Sequence, residues 1–366
     1  MLLYQIGIGL IQGIGDVRAK KLIAYCGGVE AVFKEKKSLL LKIPGIGRAA
    51  VNEVVTQNVL SRAEQEITFI EKHGIKPLFY LDKEYPHRLK HCDDGPVLIY
   101  TKGDVDLNNQ KVLSVVGTRS ATDYGKSLCK QLMEGLKPYN VLIVSGLAYG
   151  IDTAAHKAAI DNKLSTVGVL GHGLDMIYPA ENKELAKKML NNKGGLVTEF
   201  MSETKPDREN FPQRNRIIAG MADAVVVVEA AERGGALITA EIALSYNRDV
   251  LTVPGHVNQP FSKGCNKLIK LTKAALIESA DDIIYCLGWE KITNDKKKNI
   301  QKQIFVELND DEQLIVNILK IQNQTPIDEI TYKSKMPVSK VATILLQLEF
   351  KGLVNALPGK MFCFVH

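Results

Sequence analysis

Residues 224–228 read Ala-Val-Val-Val-Val, bracketed by Asp223 and Glu229. An apolar run with no polar alternation is a strand buried on both faces, as in the middle of a parallel sheet. The chain around it narrows the choice further. Upstream, FPQRNRIIAG is a basic loop over 211–216 running into a helix at 212–220. Downstream, Arg233-Gly234-Gly235 turns into a helix over 236–246 and then a strand at 250–253. Glycines at such a turn let backbone N–H groups point at an anion, and the helix N-terminus adds its dipole. Phe211, Arg214 and Arg216 fall within six residues of one another. An aromatic face interleaved with guanidiniums suits unpaired bases joined by phosphates.

The same alternation extends from residue 111 to about 287. Apolar strands are expected at 112–116, 141–144, 165–170, 195–199, 224–228 and 250–253, with helices near 124–136, 151–160, 181–190, 212–220 and 236–246. Buried strands alternating with helices predict an α/β fold, a doubly wound Rossmann-like parallel sheet with right-handed crossovers. Ligands of such sheets bind beyond the carboxyl ends of the strands. The polar clusters sit there: Gly117-Thr118-Arg119-Ser120, the run Ser145-Gly146 to Asp152, Gly171 to Asp175, the 211–216 loop and the Arg233–Gly235 turn. Arg119 is placed to reach a phosphate with its planar fork, or else to pair with Asp152. Phe211 precedes Pro212 in a polar stretch and is read as a base-stacking ring or a loop anchor. Between 205 and 216, Lys205, Arg208, Arg214 and Arg216 outnumber Asp207 and Glu209, and one of Arg214 and Arg216 is open to a strut role. His156 follows Asp152 by four residues, which invites a general-base pair. No nucleophile accompanies them, since Ser145 reads as an amide cap, so His156 is taken as orienting the loop.

The flanks differ. Residues 1–65 look helical and carry two glycine hairpins, Gly13-Ile14-Gly15 and Gly45-Ile46-Gly47, each ahead of a basic helix. These resemble helix-hairpin-helix motifs, whose amides hold a DNA phosphate; a tight turn needing glycine for positive φ explains them equally. Residues 66–105 bridge to the sheet with a strand at 96–100. His87 and His91 lack the glutamate of a zinc-protease pattern, so no metal is assigned. Residues 289–304 carry Lys296-Lys297-Lys298 and read as a linker. Residues 305–366 give helices at 310–321, 326–332 and 338–351 and a hairpin about Pro358-Gly359, an order that resembles a winged helix. Its third helix offers only Lys340 and Lys351 as bases, so a protein-contact or accessory role is favoured over duplex reading. The 366 residues, 47 basic and 41 acidic, net +6, permit a polyanion without demanding one. Six scattered cysteines, no signal peptide and no apolar run long enough for a bilayer point to a reduced, cytoplasmic protein with no membrane association.

The ordered set GTR, SGLAYGIDTAAH, VGVLGHGLDMIYPAEN, FPQRNRIIAG, ERGGALITAEIA and VPG with a later KGCNKLI resembles the DNA-processing protein A family, also called Smf. The resemblance covers about 180 residues. It implies a Rossmann-like domain that binds single-stranded DNA, forms a homodimer and passes the strand to a RecA-type recombinase in natural transformation. It implies no catalytic step and no cofactor. On its motifs Arg119 and Arg208 become DNA contacts, Phe211 the aromatic of the pocket and Lys183 a basic position near the groove. Arg214 and Arg216 join them, with Gly117, Ser145, Gly146, Gly234 and Gly235 in the turns. The apolar residues within 265–276 are expected to offer the isologous patch. Two other readings remain. Thr239 and Glu241 after the double glycine resemble phosphoribohydrolases, a nucleotide-processing enzyme class, but the PGG of that turn is absent. A duplex-binding regulator would use the hairpins and winged helix.

Overall fold

The computed structural model describes residues 1–291, 308–321, 325–357 and 361–364. They fall into two compact units, Met1–Ile292 and Thr293–His366. Most of the expected linker, with its lysine run, and the Pro358-Gly359 turn lie outside the described residues.

The first unit is built on a nine-stranded sheet. Its strands are β1 (Lys76–Phe79), β2 (Leu98–Gly103), β3 (Val112–Val116), β4 (Leu142–Ser145), β5 (Thr166–Val169), β6 (Gly195–Thr198), β7 (Ala224–Val227), β8 (Asp249–Thr252) and β9 (Ala275–Leu276). The order is β1-β2-β6-β5-β4-β3-β7-β8-β9. From β6 to β9 all pairings are parallel; β2 joins β6 antiparallel and carries β1 antiparallel in turn. Strands with apolar residues at every position have two cores to fill, and alternate residues fill them. Val112, Val116, Val225 and Val227 pack toward helices Asn210–Met221 and Gly235–Ser245. Leu113, Val115, Val226 and Val228 pack toward Asp123–Leu136, Ile151–Asp161 and Ala280–Leu287. The doubly wound expectation therefore holds, with the edge strands β1 and β9 added.

The chain runs outward from β3 through β4, β5 and β6, then returns to β7 on the other side of β3. The loops leaving β3 and β7 consequently diverge, and a crevice opens between them at their carboxyl ends. Buried Glu229 fastens the β3 loop: its carboxylate accepts from Thr122 N (2.9 Å) and Thr122 Oγ1 (2.5 Å), and its carbonyl accepts from Thr118 N (2.7 Å). Gly150 closes the other side at φ +75°; a Cβ there would lie 2.2 Å from the Thr118 carbonyl oxygen.

The N-terminal helices share one core with β1 and β2, through Phe79, Val97, Leu98 and Tyr100. The helix Leu60–His73 runs across the boundary expected at 65–66. The glycines of the first hairpin are exposed, and the helix that follows it is tied to the segment before β2. Asp16 Oδ1 accepts from Val97 N (2.8 Å), Arg18 bonds the Gly13 carbonyl (2.7 Å) and Lys20 donates to the carbonyls of Cys92 and Asp93. The second hairpin faces solvent, with Gly45 at φ +79°. His87 bonds Asn108 (2.6 Å). In the segment 265–276, Cys265 and Leu268 are buried in the core, which leaves Leu271 and Leu276 as its exposed large apolar residues.

The second unit contains helices Asp310–Ile321, Ile327–Ser334 and Val338–Phe350. Strands β10 (Thr325–Pro326), β11 (Val354–Leu357) and β12 (Met361–Phe364) form an antiparallel sheet in the order β10-β12-β11. Lys340 pairs with Asp311 (2.6 Å) and Lys351 with Glu312 (2.7 Å). Both bases expected on the third helix are thus held by acids of the first, and Leu346 and Phe350 stand exposed instead.

Candidate nucleic-acid interface

A cleft of about 470 Å³ occupies the crevice between the β3 and β7 loops. Four arginines line it, Arg119, Arg208, Arg214 and Arg233, against one acid, Asp152. The helix Asn210–Met221 supplies its central ring. The helix expected over 212–220 is present and starts at Asn210, so the basic stretch 211–216, read as the loop leading into it, falls in its first turns. Pro212 is tolerated because amides of the first turn have no intrahelical acceptor to lose. Helical geometry then sorts the basic residues. Phe211, Arg214, Asn215 and Ile218 share the face that lines the cleft, at spacings of three, four and seven. Arg216, two residues past Arg214, points elsewhere.

Phe211 is flanked by charge. The Arg119 guanidinium lies 5.4 Å from its centroid and that of Arg214 5.9 Å, within cation–π range. Tyr178 sits 6.1 Å away, tilted by 33°, and is 48% exposed. Arg119 and Arg208 are exposed at the mouth. Arg214 is buried at the floor, where Nη1 donates to the Val169 carbonyl (2.6 Å). Burial pushes its pKa down to about 10, against the pull of Asp152. Burial raises the Asp152 carboxyl above its ordinary value, opposed first by Arg214 and then by the amides of Ala148 and Gly146. Gly117 lines the cleft, and a Cβ there would meet Ile151 at 2.5 Å. Gly234 and Gly235 form the opposite wall at the start of their helix, with nothing within 4 Å of a Cβ at Gly234.

Four expected positions lie away from the cleft lining. Ser145 is fully buried and donates to the Val115 carbonyl (2.6 Å), tying β4 to β3. Gly146 lies behind the floor, where a Cβ would fall 2.0 Å from Arg214 Nη1. Lys183 is exposed at the head of the Lys183–Asn191 helix. Arg216 is 8% exposed and is clamped between Asp16 (2.9 Å) and Glu199. It struts the N-terminal helices to the sheet, and burial lifts the Glu199 pKa to about 7 against that pairing. His156 and Asp152 do not form the pair their spacing invited. His156 Nδ1 bonds Thr166 Oγ1 (2.7 Å), while Asp152 accepts from Gly146 N and Ala148 N. The sequence reading set the Arg233–Gly235 turn on the rim without giving Arg233 a contact of its own, and it left Tyr178 out, where an aromatic before a proline was the available signal. Thr239 lines the cleft but spends its hydroxyl on the Gly235 carbonyl (3.0 Å), and Glu241 pairs with Lys273 (3.5 Å).

Residues 76–288 match the family described as DNA recombination-mediator protein A, and residues 306–360 match its DprA winged helix domain. The chain is 31% identical to Protein Smf of Synechocystis, over 98% of each. It is 41% identical to the DNA processing protein DprA of Bacillus subtilis, over 58% of this chain and 71% of that protein. Among solved structures, DprA of Streptococcus pneumoniae superposes with a TM-score of 0.68 at 33% identity, covering 79% of this chain and 99% of that one. DNA processing protein A of Helicobacter pylori, described for its single-stranded DNA binding mode, gives 0.53 at 26% identity, covering 59% of this chain and 97% of that one. With its sheet, its winged helix and most of its length matched, the chain belongs to the DNA recombination-mediator protein A family.

Proposed function

We propose that this recombination mediator binds single-stranded DNA in the cleft between the β3 and β7 loops and, acting in the cytosol during natural transformation, delivers the strand to a RecA-type recombinase. The observation that carries the DNA reading is Phe211, set between two guanidiniums in a cleft with a balance of four bases to one acid. Such a site offers a base a stacking face and its phosphates a counter-charge. Arg119, Arg208 and Arg233 serve phosphates, Phe211 with Tyr178 serves a base, and a base reaching the ring displaces Arg119 from it. Paired bases do not offer their faces, so duplex binds worse. The Helicobacter pylori relative, described as binding single strands, supports the same assignment. Nucleotide hydrolysis is disfavoured because the acid of that reading, Glu241, faces Lys273. The protein acts as a homodimer through the open edge at β9, where Leu271 and Leu276 are exposed. No helix of the described residues is long and apolar enough to cross a membrane.

The test is fluorescence anisotropy of labelled oligo-dT across a salt series, with thermal melts of each variant. Phosphate contacts release counterions, so the log–log slope is about −0.7 per contact for single strands. Arg119→Ala is expected to weaken binding and to shallow the slope by about one contact. Phe211→Ala is expected to weaken binding by about 1–3 kcal/mol with the slope nearly unchanged, because stacking displaces no ions. Folded variants that both bind like wild type with equal slopes would remove the cleft from the account.

A further inference from the structure

The inner half of the cleft holds donors that make no described hydrogen bond within the protein, although Asp152 pulls on the Arg214 charge. Arg214 is 4% exposed, yet among the described residues its one hydrogen bond runs from Nη1 to Val169, and Nε is buried with no partner. A guanidinium presents five N–H donors, and leaving them unmet in a desolvated place is costly. On the same cleft the eleven-residue helix Gly235–Ser245 begins at Gly234, whose lack of a side chain leaves the helix uncapped. The amides of Gly235 and Ala236 make no described hydrogen bond. Arg233 stands beside them, exposed. Uncapped amides at a helix N-terminus and an under-used buried arginine both call for an acceptor-rich anion.

We propose that this inner half is a subsite for a phosphate monoester, the terminal phosphate of a single strand, held by Arg214, Arg233 and the amides of Gly235 and Ala236. The proposal rests on the reading of the cleft as a single-strand site. The shape separates a strand end from a strand interior. Val116, Ile218 and Ala236 line the cleft and are buried, so packed apolar side chains stand beside Arg214 in its inner half. An internal phosphodiester brought to the floor would need two chain arms in one mouth. A terminal phosphate needs one arm, and its second negative charge suits the surplus of arginine. A volume of about 470 Å³ holds roughly one nucleotide at the floor with the next at Phe211.

The experiment uses the full chain and labelled oligo-dT in four forms: hydroxyl-ended, 5′-phosphorylated, 3′-phosphorylated and circular. One terminal phosphate is expected to tighten binding by about tenfold, the worth of one charge-assisted contact. Circular and hydroxyl-ended strands are expected to bind alike. In competition, dTMP should displace the phosphorylated strand at far lower concentration than thymidine. Arg233→Gln, at an exposed position, and Arg214→Lys should each weaken the phosphorylated strand more than the hydroxyl-ended one, so that the ratio of their affinities falls toward one. If Arg214→Lys does not fold, the wild-type comparison of ends decides by itself. Displacement by dTMP without any end effect would keep the monoester subsite and assign it to free mononucleotides. Equal binding of all four forms, with dTMP no better than thymidine, overturns the subsite and leaves the single-strand reading standing. A preference for guanine that ignores the ends would give the floor to a base edge and overturn it as well. Failure to bind any oligonucleotide overturns both.

Discussion

His156 lies four residues after Asp152 on one helix, yet the two side chains take separate partners. The ring is fully buried, and Nδ1 donates to Thr166 Oγ1, which in turn donates to the Ile143 carbonyl (3.0 Å). Burial lowers its pKa to about 3, so the native ring stays neutral where the unfolded one takes a proton. Its contribution to stability is therefore complete above the ordinary histidine pKa of about 6.5 and is lost as the pH falls toward 3, by up to about 1.4 kcal/mol per pH unit. His156→Asn keeps a donor for Thr166 and removes the titration. Its expected cost at pH 7 is about 1 kcal/mol, with a shallower fall in stability between pH 6.5 and 4.5, read from urea melts at a series of pH values. His172, also lowered by burial, keeps part of the slope in the variant. An unchanged acid slope would mean that His156 is already charged in the native state.

At the scale of elements, the cleft is a product of two loops and one helix, each fixed by a local device. The β3 loop is pinned by Glu229 and threaded against Gly150. Gly150→Ala adds a Cβ 2.2 Å from a backbone oxygen at a φ of +75°, where neither strain nor collision can be relieved by a side chain. The expected loss is about 1–3 kcal/mol in thermal stability, and single-strand affinity should fall with it as Arg119 shifts. A folded Gly150→Ala protein of wild-type stability and affinity would show that the loop is not held this way. Helix Asn210–Met221 shows what a short stretch of sequence reveals and what it hides. Its composition singled out Phe211, as a stacking ring or a loop anchor, and its basic character was plain. The helix over 212–220 was expected too, but its start was not fixed, because a proline in a first helical turn looks the same in sequence as one in a turn. Once the turn is helical, Arg214 goes to the cleft floor and Arg216 to Asp16 and Glu199.

For the whole molecule, the groups proposed to hold a single strand belong to the first unit, and the two expected bases of the third helix of the second are paired with acids. A protein of residues 1–291 is therefore expected to keep its oligo-dT affinity within about threefold, less than one good contact. It should sediment as a dimer at micromolar concentration, since Leu271, Leu276 and the β9 edge remain. Loss of DNA binding by that folded protein would move the site to the winged helix, and a clean monomer would remove the β9 interface. The alternation of unbroken apolar strands with helices determined the parallel sheet from sequence alone, because a strand without polar residues has nowhere to lie except between two layers. That Gly117, Arg119, Phe211, Gly234 and Gly235 line one cleft was legible for a related reason, since in such a sheet the loops beyond the strand ends are where ligands bind, whereas Arg208 was singled out by the family's motifs. Tertiary structure alone decided that Ser145 ties two strands, that Arg216 braces the N-terminal helices and that Asp16, just after the first glycine hairpin, bonds the chain entering β2. It decided, too, that Tyr178 joins Phe211 and that Arg214 Nε makes no described hydrogen bond at the cleft floor. Those roles depend on partners 30 to 200 residues away in the chain, such as Val115 for Ser145 and Asp16 for Arg216, and no local pattern records which distant group a side chain will meet.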